Sequence, residues 1–515
     1  MITRMKISGF KNLVDVDVRF GPFTCVAGVN GVGKSNLFDA IMFLSALAEK
    51  PLIEAAMSVR GEGGRAADVR HLFRRIEENY ADKMSFEVEM IIPHKGTDDY
   101  GQIAEASITS LRYAISLAYC GENGDGIQGR LELLHEELER IKLGDASKQL
   151  LFPHKVATWR KSAVRGRRSA FFISTEGDGP DRIIRMHQDS GGSKTEKWRR
   201  GPGPPFPAAS LPRTVLSSAF NAAEAPTALL ARREMQSWRL LQLEPSALRK
   251  PDDIAAHRKL GADGSHLPAT LYRLAGNRQY SNNVDDDNTA AQVYAEVAGR
   301  LSELIDDVRE VRVDRDEKRE LLTLEVVDHN GTAHPARSLS DGSLRFLALT
   351  VLSMDSEEQG LLCLEEPENG IHPERIPAMI QLLQDIVTDT NDPLGPDNSL
   401  SQVIINTHSP AVVGQIPDDS LLFAELKEYV DDGKRFKGLS LSCLDQTWRT
   451  RAPENIRVVP KGKLLSYLNP IAPEPDTTDD WRSYAGKKRK ARKARRRVVD
   501  RDDMKQMMLP FPGTM

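Results

Sequence analysis

Hydrophobic and polar residues alternate near the start of the chain in a pattern that predicts β-structure. In residues 13–20 (LVDVDVRF), valine alternates with aspartate and arginine, which is typical of a strand with one exposed face. The apolar FTCVAG that follows predicts a short buried strand. A glycine-rich turn then leads into an apolar-periodic stretch, which predicts a helix over residues 34–49 that Pro51 ends.

Residues 52–335 have a mixed pattern, and regular strand–helix alternation returns over residues 336–425. In the middle region, SFEVEMII and ITSLRYAISLAY predict strands, whereas TALLARREMQSWRLL and AQVYAEVAGRLSELIDDV predict helices. GPGPPFP (201–207) and SNNVDDDN (281–288) predict loops. Because no apolar heptad pattern is sustained, we expect a compact insertion rather than a coiled-coil arm.

The composition is that of a soluble globular chain of two or three domains. Of its 515 residues, 28% are charged and 40% are hydrophobic, and the net charge of −4 argues against a protein that coats nucleic acid. The four cysteines lack CxxC spacing, which predicts a reducing compartment without disulfides or a zinc cluster. No apolar run reaches the roughly 18 residues that span a bilayer, and MITRMKISGF lacks the apolar core of a signal peptide. We expect a cytoplasmic protein without membrane contact.

The turn GVNGVGKSN predicts a phosphate-binding loop with the spacing G-x-x-x-x-G-K-[ST]. Backbone N–H groups of such a loop surround a diphosphate at a helix N-terminus, the lysine adds charge, and the serine hydroxyl faces Mg²⁺. A chance glycine turn is the alternative, which the preceding strand and the following helix disfavour. The residues assigned to phosphate binding are Gly28, Asn30, Gly31, Gly33, Lys34, Ser35 and Asn36.

Two later strands deliver polar side chains at their carboxyl ends, where open α/β sheets place ligands. LLCLEEPENGIHP (361–373) ends its strand with Glu365 and Glu366, of which one would hold the metal and the other would polarise the attacking water. SQVIINTHSP (401–410) ends its strand with His408, which could bond a γ-phosphate or its attacking water. The alternatives are a charged turn and a structural histidine.

A second anion site is predicted in RSLSDGSLRFLAL, where Ser340, Asp341 and Gly342 form a turn that begins an apolar helix. The alternative is an ordinary helix N-cap without a ligand. The phosphate loop lies about three hundred residues earlier, so this turn needs a separate role.

The order of these four motifs resembles the ABC-type ATPase heads of the RecF, SMC and OLD group. GFKN (9–12) resembles the N-terminal Phe-Lys element of those heads, which places Lys11 and Asn12 near the nucleotide. EEPENGIHP is similar to the EPExxLHP form of stand-alone OLD-like (AAA_21-type) ATPases, many of which serve bacterial anti-phage defence. The resemblance covers residues 1–50 and 335–425 well and the middle only loosely.

The resemblance implies an α/β fold: an ABC-ATPase (RecF/OLD-like) P-loop head with a large mixed α+β insertion and a basic, disordered C-terminal tail. Residues 1–51 would carry the phosphate loop, and residues 52–335 would add strands to the head plus a helical subdomain. Residues 336–425 would complete the head with the signature turn, the acidic strand end and the histidine. Residues 426–515 would form a C-terminal extension.

The resemblance also implies ATP and Mg²⁺ as cofactors and a homodimer as the working form. Ser35 and Glu365 would hold the metal, and Glu366 and His408 would be catalytic. In such heads the signature turn, Ser340–Gly342 in this chain, contacts the γ-phosphate bound by the partner subunit. ATP would therefore join two copies, and hydrolysis would separate them. Assembly into a higher oligomer is an open alternative.

Two features depart from the family pattern. Many such heads carry Asp-Glu where this chain has Glu365-Glu366, and the longer first side chain predicts slow turnover. The glutamine that normally follows the phosphate loop at a distance cannot be assigned, and Gln102 is not proposed for it.

The C-terminal region predicts a partner rather than a second enzyme. The hundred or so residues after His408 lack the Glu-Gly and Asp-x-Asp elements of a Toprim nuclease, so a nuclease or toxin effector would be a separate chain. Residues 487–497 contain nine cations among eleven residues, for which nucleic acid, an acidic protein or solvent alone are the candidate partners. The expected function is an ATP-driven regulator of that effector in anti-phage defence. A RecF-like DNA repair or replication ATPase and a non-hydrolysing scaffold are the alternatives, and an ABC transporter head is disfavoured by the long insertion.

Overall fold

A sheet of mostly parallel strands holds the motifs predicted from the sequence. The computed structural model describes residues 1–59, 69–121, 129–166, 171–189, 204–277, 286–355, 360–431, 433–453 and 456–468. In spatial order the strands of this central sheet are β14 (Arg239–Leu241), β19 (Leu361–Glu365), β20 (Gln402–Thr407), β3 (Phe23–Ala27), β21 (Leu421–Asp431), β22 (Lys434–Cys443) and β23 (Arg457–Val458). From β14 to β21 the neighbours pair in parallel, so their carboxyl ends meet at one edge.

Alternate residues of the central strands enter two different hydrophobic cores. In β3, Val26 packs into one core, whereas Cys25 and Ala27 pack into the other. In β20, Ile404 likewise faces the first core, while its neighbours in the strand face the second. Both faces of the sheet are therefore covered, which explains why these strands are continuously apolar in the sequence.

The first core lies between the central sheet and an antiparallel sheet. That second sheet consists, in spatial order, of β13 (Pro205–Pro207), β12 (Ile183–Met186), β11 (Ile173–Glu176), β10 (Arg130–Arg140), β9 (Ser110–Cys120), β6 (Lys83–Ile91), β1 (Ile2–Phe10) and β2 (Leu13–Arg19). Helix α1 (Lys34–Leu47) contributes Phe38, Ile41 and Leu44 to this core. Because α1 is packed between the two sheets, the glycine-rich turn that precedes it is fixed at its C-terminal end.

Helices cover the other face of the central sheet and form the second core. The helices of the described chain, after α1, are α2 (Leu52–Ser58), α3 (Ala146–Gln149), α4 (Lys161–Ala163), α5 (Pro226–Gln236), α6 (Pro245–Leu248), α7 (Leu267–Asn277), α8 (Asp286–Ser302), α9 (Asp341–Ser353), α10 (Ile376–Ile386), α11 (Pro410–Val413) and α12 (Lys461–Leu468). Of these, α7, α8, α9 and α10 supply most of the helical side chains in the second core.

Short strands complete the architecture. A small antiparallel sheet contains β15 (Asp252–Asp253), β16 (Glu310–Asp316), β17 (Leu321–Val327) and β18 (Ala333–Pro335). Two further pairs are β4 (Arg75–Ile76) with β5 (Asn79–Tyr80), and β7 (Lys95–Thr97) with β8 (Ile103–Glu105). Residues Met1–Asn469 belong to one compact unit; the other, Pro470–Met515, contains the predicted basic tail and lies outside the described residues.

Several sequence predictions for the insertion are confirmed and others are wrong. The strands predicted at SFEVEMII and ITSLRYAISLAY correspond to β6 and β9. The helix predicted through SWRLL instead ends at Gln236, because the next residues form β14 alongside β19. The described part of GPGPPFP contains strand β13, and α8 begins within the predicted loop SNNVDDDN. Within the described part of residues 52–335, no helix exceeds the 17 residues of α8, in keeping with a compact insertion.

Candidate functional site

The phosphate loop joins β3 to α1 at the carboxyl edge of the central sheet. A Cβ atom at Gly28 would lie 2.4 Å from the Ala424 carbonyl oxygen, so the chain can pass β21 only with glycine at this position. Gly33 has φ 98°, a left-handed conformation that favours glycine, and α1 begins at the next residue. These backbone constraints leave the N-terminus of α1 open to the cleft described below.

Lys34 is the buried cation of the loop. Its Nζ donates to the carbonyl oxygens of Gly28 at 2.7 Å and Val29 at 3.0 Å, and the residue is only 7% exposed. Burial lowers the pKa of Lys34, although the carboxylates of Glu366, Glu368 and Glu365 act in the opposite direction. The ammonium group therefore lies within the electrostatic reach of the predicted acidic motif.

Lys11 and Asn12 support the loop from a neighbouring turn. Asn12 donates from Nδ2 to the Val32 carbonyl oxygen at 2.9 Å and accepts a bond of the same length from Asn36 Nδ2. Lys11 pairs with Asp39 of α1 at 2.7 Å. Neither residue lines the cleft, so the structure places them in contact with the loop and α1 rather than with the cleft itself.

A cleft of about 610 Å³ opens beside the loop. Its walls bring together the loop, the acidic strand end and segments from the insertion and from α9. The lining residues that matter for chemistry are Asn30, Gly31, Gly33, Lys34, Ser35, Gln242, Glu244, Arg345, Glu365, Glu366, Asn369 and Asn406. The cleft has the size range of small-molecule sites and combines anion-binding groups with carboxylates.

The two acids of the motif have different partners. Glu365, the last residue of β19, accepts hydrogen bonds from Gln242 Nε2 at 3.0 Å and Asn406 Nδ2 at 3.4 Å. Glu366 accepts from Asn369 Nδ2 at 3.1 Å and lies 2.5 Å from His408 Nδ1. Glu365 is therefore held by amides, whereas Glu366 is coupled to a group that can carry a proton.

The backbone turns sharply at Glu366, which has φ 46°. Its N–H donates to the Asn406 carbonyl oxygen at 3.0 Å, which holds this left-handed conformation in place. A non-glycine residue with such a φ is uncommon, and such outliers cluster at functional sites. The turn directs the two adjacent acids to different partners.

Gln242 is a site residue that sequence reasoning missed. It follows β14, whose parallel pairing with β19 aligns Leu241 with Leu364 and so places Gln242 next to Glu365. Since β14 has only three residues, its periodicity is too short to distinguish it from the preceding helix α5. The sequence signal is weak: Gln242 is a single polar residue among the leucines of residues 240–243, just before Glu244-Pro245.

Glu368 is a second residue that the sequence did not single out. It is 8% exposed and bonds to the hydroxyl of Thr407, the residue before His408. Burial raises the pKa of Glu368, which reflects the cost of a carboxylate in this position. The contact ties the segment after Glu366 to the end of β20.

The signature turn begins α9 as predicted but lies outside the lining of the cleft. Ser340 caps the helix by accepting from the Ser343 N–H at 3.2 Å, and Asp341 pairs with Arg249 at 2.5 Å. A Cβ atom at Gly342 would lie 2.1 Å from the Gly370 carbonyl oxygen, so the turn packs directly on the segment after Glu366. The turn thus touches the segment that follows the acidic pair and does not line the cleft beside its own phosphate loop.

Comparison with known proteins supports an ATPase domain. Residues 201–414, less than half of the chain, match the family model AAA_21, described as "AAA domain, putative AbiEii toxin, Type IV TA system". The match includes the signature turn, the acidic strand end and His408, but not the phosphate loop. No curated protein matches the chain.

Solved structures of SMC heads show a distant similarity. The head bound to the C-winged helix domain of ScpA has 13% identity and TM-score 0.42, covering 86% of this chain and 98% of its own. A head with an extended coiled coil bound to the C-terminal domain of ScpA, derived from Pyrococcus furiosus, has 11% identity and TM-score 0.41, covering 87% and 98%. The SMC head domain from Thermotoga maritima has 12% identity and TM-score 0.34, covering 86% and 99%.

Since these TM-scores lie below 0.5, the fold assignment rests on this chain's own strand order, phosphate loop and matched ATPase domain. The predicted α/β class is confirmed: a phosphate-loop motif lies at the carboxyl edge of a mostly parallel sheet, and a mixed region of helices and strands separates it from the matched ATPase segment. The ABC type of this head stays a prediction. Within the described ranges, no helix combines the length and apolar character needed to cross a bilayer.

Proposed function

We propose that this protein binds and hydrolyses ATP in the cleft beside residues 28–35. The observation that carries the proposal is the convergence of Lys34, Glu365 and Glu366 on one cleft, with His408 in contact with Glu366. These side chains follow three parallel strands, β3, β19 and β20, and the shared carboxyl edge of the sheet brings them together. An accidental glycine turn would not be accompanied by this arrangement.

Mg²⁺ fits the oxygen atoms available in the cleft. Within the described ranges, no group of three or more His, Cys, Asp or Glu side chains is arranged to hold a metal ion. A magnesium site here would therefore use Ser35, Glu365 and the nucleotide phosphates, which is the usual pattern for this ion. When bound, the metal neutralises charge on the β- and γ-phosphates.

Glu366 is proposed as the general base for the attacking water. Its carboxylate is one residue beyond β19, and its contacts with His408 and Asn369 set its orientation. Gln242 and Asn406 bond to the neighbouring Glu365. We therefore assign metal binding to Glu365 and proton transfer to Glu366. His408 would polarise the base or bond to the γ-phosphate.

We further propose that ATP joins two copies of the chain. The signature turn lies away from its own cleft, and its helix N-terminus is suited to a phosphate held by another subunit. The turn also packs on the segment that carries Asn369, so contact with a partner's nucleotide would reach the catalytic residues directly.

The experiment that tests both proposals is light scattering of purified protein with ATP and Mg²⁺. Glu366→Gln should bind ATP without turnover and accumulate as a dimer, seen as a doubling of mass that ADP does not produce. Ser340→Arg in the same background should retain ATP binding and remain monomeric. If the double variant dimerises normally, the signature turn does not bridge subunits; if neither protein binds ATP, the site assignment is wrong.

The biological role is proposed as regulation of a separately encoded effector in anti-phage defence. The similarity of EEPENGIHP to OLD-like ATPases and the match to AAA_21 support this role over a RecF-like repair function. Purification of the protein with its chromosomal neighbours, with and without ATP, should retain a nuclease or toxin. Retention of replication or repair proteins would favour the RecF-like alternative, and absence of phosphate release above that of Glu366→Gln would favour the scaffold.

Nucleic-acid binding through residues 487–497 stays a prediction, because this run lies outside the described residues. If it neutralises about five phosphates, affinity should fall with salt at a log–log slope of about −4 to −5. A flat salt response would leave an acidic protein or solvent as its partner.

A further inference from the structure

Helix α9 carries one charged residue in a stretch that is otherwise buried. From Gly342 to Leu352 every residue of the helix is buried except Arg345, which is partly exposed. The apolar residues of this stretch fill the second core. A cation at this position removes apolar contact from the core, so the arginine needs a polar environment of its own.

That environment is the wall of the ATP cleft. Arg345 donates from Nε to the Leu243 carbonyl oxygen at 3.1 Å and from Nη1 to the Asn369 carbonyl oxygen at 2.6 Å. Neither partner is charged, and in the part of the chain that the structure describes Arg345 forms no ion pair with a carboxylate. A guanidinium group has five N–H donors, so these two bonds leave capacity for an anion.

The cleft presents Arg345 and Lys34 from opposite faces of the central sheet. Lys34 begins α1, which packs into the first core, whereas Arg345 belongs to α9, which packs into the second. Both line the same cleft. A triphosphate carries more negative charge than Lys34 alone can neutralise, and an arginine fork suits a phosphate oxygen pair.

We propose that Arg345 binds the terminal phosphate of the nucleotide held in its own subunit and so distinguishes a nucleoside triphosphate from a diphosphate. This inference rests on the proposed ATP site but assigns a residue that lies outside the phosphate loop, the acidic pair and the signature turn. Lys34 and the loop would bind both nucleotides, whereas Arg345 would contact only the γ-phosphate.

The two carbonyl partners of Arg345 belong to segments that contact the acidic pair. Leu243 follows Gln242, which bonds to Glu365, and Asn369 bonds to Glu366. Arg345 is therefore attached to both segments that orient the acidic pair. Because Arg345 is also one turn beyond the signature turn, a shift of its guanidinium toward a phosphate would be transmitted to the start of α9.

The test measures ATP and ADP affinity by calorimetry in the Glu366→Gln background, where ATP is not consumed. Arg345→Met should weaken ATP binding roughly ten- to hundredfold, the loss of one charge-assisted bond, and ADP binding by less than about threefold. Arg345→Lys keeps the positive charge but lacks the planar guanidinium group. Its ATP affinity should therefore lie between those of the Glu366→Gln parent and Arg345→Met. Arg312→Met, which removes an arginine paired with Glu325 outside the cleft, is the matched control and should change neither affinity.

The outcomes separate this inference from the ATP site itself. If the Glu366→Gln parent binds neither nucleotide, the proposed function fails. If the parent binds both and Arg345→Met lowers ATP and ADP affinity equally, or changes neither, Arg345 is structural and the inference is wrong. Should Arg345→Met fold poorly, the ATP-to-ADP affinity ratio of Arg345→Lys decides the question, since a structural role would leave that ratio unchanged.

Discussion

Glu136 predicts an unusual dependence of stability on pH. This residue of β10 is 0% exposed and accepts hydrogen bonds from the N–H groups of Val215 at 2.7 Å and Leu216 at 2.9 Å, and from the Tyr113 hydroxyl at 3.1 Å. Burial raises the pKa of Glu136 from 4.5 to about 7, although these donors act in the opposite direction. The side chain thus anchors the segment that leads to α5 and β14.

The sign and size of the effect follow from linkage. Because the folded pKa is raised, the folded state binds the proton more tightly, and the associated stability is complete below pH 4.5 and lost as pH rises through about 7. At about 1.4 kcal/mol per tenfold change in affinity, the gap between 4.5 and about 7 corresponds to about 3 kcal/mol. Glu136→Gln removes this titration, but a glutamine amide has only one oxygen, so either the Val215 N–H or the Leu216 N–H loses its acceptor.

Urea denaturation followed by tryptophan fluorescence at pH 5, 6, 7 and 8 measures this effect. The wild-type free energy of unfolding should fall by about 2.5 kcal/mol more than that of Glu136→Gln between pH 5 and 8, because part of the effect is already lost at pH 5. Glu139→Gln, on the same strand but in a partly exposed ion pair with Arg112, should follow the wild type. Parallel pH profiles for wild type and Glu136→Gln would refute the reasoning, because they would mean that the buried carboxyl group does not titrate in this range.

Two further predictions concern the cleft. Lys34→Ala should weaken ATP binding roughly a hundredfold in calorimetry because it removes the buried ammonium that is proposed to bind the phosphates, and unchanged affinity would contradict the loop assignment. Gln242→Ala should lower phosphate release roughly ten- to hundredfold while ATP affinity changes by less than about threefold, since it removes one of the amide donors that position Glu365 without touching the phosphate loop. Gln102→Ala, on the turn between β7 and β8 outside the cleft lining, is its control and should leave the rate unchanged; equal losses in both variants would exclude a site role for Gln242.

The motifs that the sequence revealed are each contained in one short stretch of chain. The phosphate loop depends on glycines at Gly28 and Gly33 and on a strand and helix immediately around them, so local rules suffice to find it. The same holds for Glu366 and His408, because a continuously apolar run followed by polar residues predicts a buried strand and its carboxyl end. Since neighbouring parallel strands end at the same edge of a sheet, the proximity of these two residues also follows from the sequence pattern.

Tertiary structure alone decided the residues that act on those motifs from elsewhere. Gln242 bonds to Glu365 across 123 positions, and Arg345 bonds to Leu243 across 102, which no local pattern encodes. The first contact depends on the register of β14 against β19, and β14 is too short to have a recognisable period. The contact between Arg345 and Leu243 depends on which side of α9 faces the cleft. Because α9 has apolar residues on all sides, its own sequence does not determine that orientation. Packing against neighbouring helices and strands determines it.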